Sequence, residues 1–175
     1  LALSLKTSDN TMTEVEGRLV AAHAKETTDF AGASKAVLAQ LGKDGFDTSG
    51  VTLLDSSGLA KGNKVPARLL AQILAKAAGG EGSSAGRTLI ADLPVAALDG
   101  TLDHRLHDTA AAGTVRAKTG SLEQTSSLAG VVTTADGRQL AFAVLANGFP
   151  ANGVGAAATA IDNHFVAPLA SCGCS

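Results

Sequence analysis

Met12, Val15, Leu19 and Ala22 recur at intervals of three, four and three residues, the spacing of one helical face, and predict a helix over about residues 11–26. Thr11 and Glu14 form a Thr-x-x-Glu capping-box pattern at its start, and Glu16 adds negative charge near the positive end of the dipole. An alanine-rich stretch predicts a second helix over about 31–42, ended near Gly42 and Gly45. Val51–Leu54 reads as a short extended segment running into the turn formers Asp55-Ser56-Ser57-Gly58. Pro66 suits the first turn of a helix whose apolar stripe is Leu69, Leu70, Ile73 and Leu74 and which the glycines at 79, 80 and 82 end. A shorter helix is expected around Thr88–Leu93, before Pro94, and Leu98-Asp99-Gly100-Thr101 reads as a further turn and helix start.

After Gly113 the period changes. Residues 114–118, 125–134 and 139–147 read as strands, and Asp136-Gly137 between the last two is a strong hairpin signal. Leu140–Leu145 is apolar at odd and even positions alike, which predicts a sheet covered on both faces. A final helix over about Gly153–Val166, through Ala160, Ile161 and Phe165, is expected to cover one of them. Helices, an antiparallel meander and one closing helix make an α+β fold, and no repeat or linker marks a boundary within residues 1–175.

The composition narrows the function. The chain has 175 residues, 45% of them hydrophobic, which suits one globular domain and argues against disorder. No apolar run approaches the roughly 18 residues of a membrane-spanning helix. The 14 Lys and Arg against 16 Asp and Glu form no basic block, and Trp and Tyr are absent, so neither a phosphate-neutralising surface nor aromatic platforms support nucleic-acid binding. His104 and His107, flanked by Asp103 and Asp108, lack further ligands at metal-binding spacing and read as a solvated helix face. Asp55 and Asn63 read as the braces of a structural turn. Cys172 and Cys174 are too few and too local for a disulfide scaffold and read as part of a tail.

Two motifs carry chemistry: Ser8-Asp9-Asn10 ahead of the first long helix, and Lys118-Thr119-Gly120-Ser121 at the end of the first strand. Taken singly, the first is also a set of helix caps and the second a strand end with a turn glycine. Together and in this order they match two of the three motif elements of the serine enzymes that act on penicillin or peptidoglycan. With Leu54-Asp55-Ser56-Ser57-Gly58-Leu59, Asp99-Gly100-Thr101-Leu102, and Ala117–Leu122 continuing into Ser127-Leu128-Ala129-Gly130, the chain resembles the C-terminal part of the type-4 low-molecular-mass penicillin-binding proteins. These are D-alanyl-D-alanine carboxypeptidases and endopeptidases, and the resemblance runs from Ser8 to about Phe165.

The resemblance implies the serine β-lactamase/DD-peptidase fold, an exported cell-envelope protein without a cofactor, and a substrate that is a peptidoglycan stem peptide ending in D-Ala-D-Ala, with β-lactams as acylating mimics. It assigns Ser8 to proton relay toward the leaving amine, and Asn10 to orienting the substrate and holding the catalytic lysine. Lys118 keeps positive charge in the cleft, Thr119 and Ser121 offer hydroxyls to the substrate carboxylate, and the Ser121 amide is half of an oxyanion hole. Gly120 leaves room for the substrate along the strand. The Ser-x-x-Lys element occurs nowhere in the 175 residues. We therefore expect a C-terminal fragment of a longer enzyme, with the N-terminal remainder as its partner. The alternatives are a non-catalytic module that binds stem peptides and a β-lactamase. The latter is disfavoured because none of Glu14, Glu16, Glu26 and Glu81 lies in a Glu-x-x-Leu-Asn setting.

Overall fold

The computed structural model describes residues 1–79 and 83–172. Of the glycines expected to end the third long helix, Gly79 follows it directly, and Gly80 and Gly82 lie outside the described residues, as does Cys174. The helices are α1 (Ala2–Thr7), α2 (Asn10–His23), α3 (Phe30–Lys43), α4 (Ala67–Ala78), α5 (Ser84–Asp92), α6 (Val154–Ile161) and α7 (Ala167–Ser171). The strands are β1 (Val115–Leu122), β2 (Thr125–Thr133) and β3 (Gln139–Asn147). The residues group in two compact units, one of Ser8–Leu69 and one of Leu1–Thr7 with the chain from Leu70 onward. Neither border shows a shift in composition, since one falls between two short polar residues and the other inside the apolar stripe of α4.

In the larger unit β1, β2 and β3 form an antiparallel meander in that order. The register pairs Lys118 with Ala129, Gly120 with Ser127, and Gly130 with both Ala117 and Phe142. The expected Asp-Gly hairpin forms, with Gly137 at φ +82° and the Gly137 amide donating to the Thr134 carbonyl (2.9 Å). Helices cover both faces, as the apolar pattern of β3 predicts. On one face Val115, Ala117, Leu128, Val132 and Phe142 pack with Ile161, Val166 and Ala170. On the other, Val131 packs with Leu74 of α4 and Leu93, with Leu5 of α1 and Ile90 of α5 alongside. The closing helix does not run evenly: a π turn at Asp162–Val166 separates α6 from α7. It lies where Arg105 grips Asp162 through two bonds, Nε to Oδ2 (2.8 Å) and Nη2 to Oδ1 (2.6 Å).

Gly130 sits at the tightest point of the sheet. A Cβ there would lie 2.1 Å from the Arg116 carbonyl oxygen and 2.5 Å from Ala117 Cα, both backbone atoms that cannot rotate away. Gly130→Ala is therefore expected to lower the unfolding free energy by about 3 kcal/mol, the upper range for overpacking. Urea denaturation measures it, and a loss below about 1 kcal/mol would contradict this close approach.

In the smaller unit α2 starts two residues earlier than the capping-box pattern predicts. Asp9 is its N-cap, accepting from the Met12 amide at 2.8 Å, and its carboxylate outranks a threonine hydroxyl in that role. Glu14 is thereby released from capping, and its Oε1 instead accepts from the amides of Ser56 (3.1 Å) and Ser57 (2.8 Å). The buried face of α2 also differs from the predicted stripe. Gly17 and Ala21 are buried, with Ala21 packed on Ala33 and Ala36 of α3, whereas Val15 and Leu19 are 49% and 64% exposed. The cause is size. A Cβ at Gly17 would lie 1.9 Å from Ser56 Oγ, so the glycine admits a close approach that larger residues forbid. The turn at Asp55 is structural, as its composition suggests: Asp55 is buried and accepts from the amides of Gly58 (2.9 Å) and Ala60 (2.7 Å) and from Asn63 Nδ2 (2.7 Å). Burial pushes its carboxyl up, and the bonds from Asn63, Ala60, Gly58 and Ser57 outweigh that and hold it below the usual aspartate value.

Candidate active site

Lys118, Thr119, Gly120 and Ser121 lie inside β1, which runs on to Leu122 and so is longer than the five residues read from the sequence. The direction of their backbone groups follows from the strand's first half. The Ala96 amide donates to the Val115 carbonyl (3.0 Å) and the Ala117 amide donates to the Pro94 carbonyl (2.9 Å). Odd-numbered residues therefore turn their backbone groups away from β2. Thr119 and Ser121 continue the series beyond the segment that ends at Pro94, so among the described residues of this unit their amides and carbonyls face a strand edge without a neighbouring strand. A peptide laid antiparallel there meets a row of backbone donors and acceptors.

Side chains alternate along the same strand. Lys118 is half-buried, and its Nζ donates to the Thr119 carbonyl at 3.0 Å. Burial pulls its ammonium below the ordinary lysine value, because the charged form is the one that loses hydration. Gly120 faces Ser127, whose Oγ would lie 2.3 Å from a Cβ at position 120, so the missing side chain serves the neighbouring strand as well as the open edge. Ser127 Oγ donates to the Gly120 carbonyl at 3.4 Å. Ser121 is exposed.

Thr119 Oγ1 donates to Thr101 Oγ1 at 3.0 Å. Thr101 carries no signal in the sequence beyond membership of Asp99-Gly100-Thr101-Leu102, and its neighbours explain its placement. Gly100 holds φ +60°, where a Cβ would press on Lys6 backbone at 2.9 Å. Asp99 accepts from the Val95 amide at 2.8 Å and pairs with the Lys6 ammonium. Burial raises the Asp99 carboxyl, and Lys6, the Val95 amide and Arg116 together bring it below its usual value. This brace holds Thr101 against β1. The only sequence signal was the glycine after Asp99, which fits a turn and says nothing about what the threonine touches.

Ser8 and Asn10 belong to the other compact unit. Ser8 lies between α1 and α2 with φ +55°, a left-handed conformation that costs a non-glycine residue about 1 kcal/mol. Strain of this kind concentrates at functional positions. Asn10 is the first residue of α2, exposed, and directly follows the Asp9 cap. The cap reading of Ser8-Asp9-Asn10 thus holds for Asp9, and the flanking Ser8 and Asn10 are both exposed. His104 and His107 engage locally: His104 Nε2 is 3.5 Å from Asp103 Oδ2, and His107 Nε2 donates to the Asp103 carbonyl (2.6 Å). No group of three or more His, Cys, Asp or Glu able to hold a metal occurs among the described residues. Nor is any described helix long and apolar enough to cross a membrane.

The model of the D-Ala-D-Ala carboxypeptidase 3 (S13) family matches residues 1–167. The chain belongs to this S13 family. Among curated relatives of this S13 chain, carboxypeptidase DacB of Mycolicibacterium smegmatis is 46% identical over 171 residues, covering 95% of this chain and 36% of that protein. The D-alanyl-D-alanine carboxypeptidase of Actinomadura sp. (strain R39) is 42% identical over 110 residues, covering 59% of this chain and 20% of that protein. In structure, the S13 chain is similar to penicillin-binding protein 4 (dacB) of Haemophilus influenzae, solved in complex with a β-lactam, with a TM-score of 0.78 and 32% identity over 85% of this chain and 34% of that one. The helix-and-sheet architecture is therefore the DD-peptidase fold, and the chain spans between a fifth and about a third of the length of these relatives.

Proposed function

We propose that this chain forms the second- and third-motif part of a serine D-Ala-D-Ala carboxypeptidase/endopeptidase that trims peptidoglycan stem peptides through an acyl-enzyme and is acylated by β-lactams. The nucleophile comes from a Ser-x-x-Lys segment of the same protein outside these 175 residues, and the protein works in the cell envelope after export. The observation that carries this reading is the Lys118–Ser121 stretch on the open edge of β1, with a half-buried lysine and an outward amide at Ser121.

On this reading the D-Ala-D-Ala end of the substrate extends along β1. The Ser121 amide donates to the carbonyl oxygen as negative charge develops on it, a contribution of about 3 kcal/mol for one preorganised donor. The hydroxyls of Thr119 and Ser121 receive the terminal carboxylate, with Thr119 oriented by Thr101. Lys118 attracts that carboxylate while charged. Its burial eases loss of the proton, and Ser8 is the hydroxyl that relays a proton to the departing amine. Asn10 holds the substrate amide. The acyl-enzyme is released by water or an amine.

The lack of any Ser-x-x-Lys in the chain favours a second reading, a module that binds stem peptides through Lys118, Thr119 and Ser121 without cutting them. Fluorescent penicillin separates the two. The whole protein is incubated with it and the label located by peptide mapping. We expect covalent label on a serine outside this chain and none within it. Label on Ser8 or any other residue of the chain overturns the assignment of roles, and no label anywhere leaves the binding module as the reading.

A further inference from the structure

Glu14 lies one helical turn beyond Asn10, and Gly17 three residues beyond Glu14, so the three share one face of α2. Two of them seat the Asp55–Gly58 turn. Glu14 Oε1 accepts from the Ser56 and Ser57 amides, 42 and 43 residues along the chain, and Ser56 rests on the bare backbone of Gly17. The turn is stiffened from within by Asp55. Yet the clasp is incompletely satisfied: Glu14 Oε2 and Ser56 Oγ are buried without a hydrogen-bond partner among the described residues. Each such atom costs stability. α2 already has its cap in Asp9, so a carboxylate used this way adds little to holding the helix together. It does set the position of the turn against the helix face that carries Asn10.

We infer that Glu14 is a positioning residue, which ties the Asp55–Gly58 turn to the first turns of α2 and thereby fixes the orientation of Asn10. The inference rests on the proposed role of Asn10. A purely structural brace would change stability and acylation together, whereas a positioning clasp changes acylation while stability moves little.

The test uses the whole protein with Glu14→Ala, Glu14→Gln and Gly17→Ala. Three quantities are read: amide hydrogen exchange at Ser56 and Ser57, the melting temperature, and the second-order rate of acylation by fluorescent penicillin. Glu14→Ala is expected to speed exchange at both amides by about tenfold or more and to slow acylation about 10- to 100-fold, the effect of an ångström-scale misplacement. Glu14→Gln keeps an acceptor for both amides and recovers both readouts. Gly17→Ala keeps the carboxylate, pushes Ser56 off the helix at some cost in melting temperature, and reproduces the faster exchange and slower acylation of Glu14→Ala. Unchanged exchange in Glu14→Ala shows that the clasp does not exist and overturns the inference. So does acylation at the wild-type rate despite faster exchange, or a fall in acylation matched by a collapse of the melting temperature. Wild-type protein that takes no label overturns the acyltransferase reading itself, and the positioning role falls with it.

Discussion

Lys118→Ala is expected to slow covalent labelling of the whole protein by fluorescent penicillin about a thousandfold, without loss of thermal stability. The two halves of that expectation have one origin. Lys118 is half-buried and its ammonium is held below the ordinary lysine value by lost hydration. The penalty falls on the charged form, so the folded protein carries it in full below the folded-state pKa and is relieved of it as the pH rises toward the ordinary lysine range. Removing the ammonium removes that penalty, which offsets the loss of its bonding, the bond from Nζ to the Thr119 carbonyl included. A lysine present for stability would behave the opposite way. Labelling of Lys118→Ala at the wild-type rate would sink the catalytic assignment, and a large fall in melting temperature would recast the residue as a structural one.

Asp162→Ala carries the largest expected loss of stability, about 3–5 kcal/mol in urea unfolding, because it strands the Arg105 guanidinium in the interior. The Arg105 and Asp162 side chains are only 19% and 11% exposed, and they are joined by two charge-assisted bonds, with Arg105 Nη2 also donating to the Ala158 carbonyl at 3.4 Å. This pair pins the π turn between α6 and α7, whose neighbours Ile161 and Val166 close one face of the sheet. Replacing both partners with apolar residues of similar size, Arg105→Met with Asp162→Leu, is expected to recover most of the loss, since no buried charge is then left unpaired. A loss below about 1 kcal/mol in Asp162→Ala would show that water reaches the pair and that the bond belongs to the surface class.

Much of the meander was readable locally. Asp136-Gly137 between two apolar runs marked its hairpin, and Gly137 does take the positive φ that such a turn needs. The end of β1 was not readable, because Lys118-Thr119-Gly120-Ser121 contains a glycine and polar residues that weaken a strand pattern when taken alone. Pairing with Ser126–Ala129 supplies the order that the local sequence lacks. α5 begins at Ser84 rather than near Thr88, since Ser83 caps it through the Gly86 amide, a bond that apolar periodicity does not register.

By itself the sequence determined the kind of elements, the order in which they come, and the motifs that place the chain among the S13 proteins, because caps, turn formers and periodicity act between residues a few positions apart. Tertiary structure alone decided which face of α2 is buried, with Gly17 and Ala21 inside and Val15 and Leu19 outside, because contact with α3 and the Asp55–Gly58 turn rewards close approach over side-chain size. It also decided that Glu14 serves a turn 42 residues away instead of its own helix end. And it decided that Thr119 and Ser121 turn their backbone groups to an open edge, since the register set by Pro94–Ala96 at one end of β1 dictates where every later amide in the strand points.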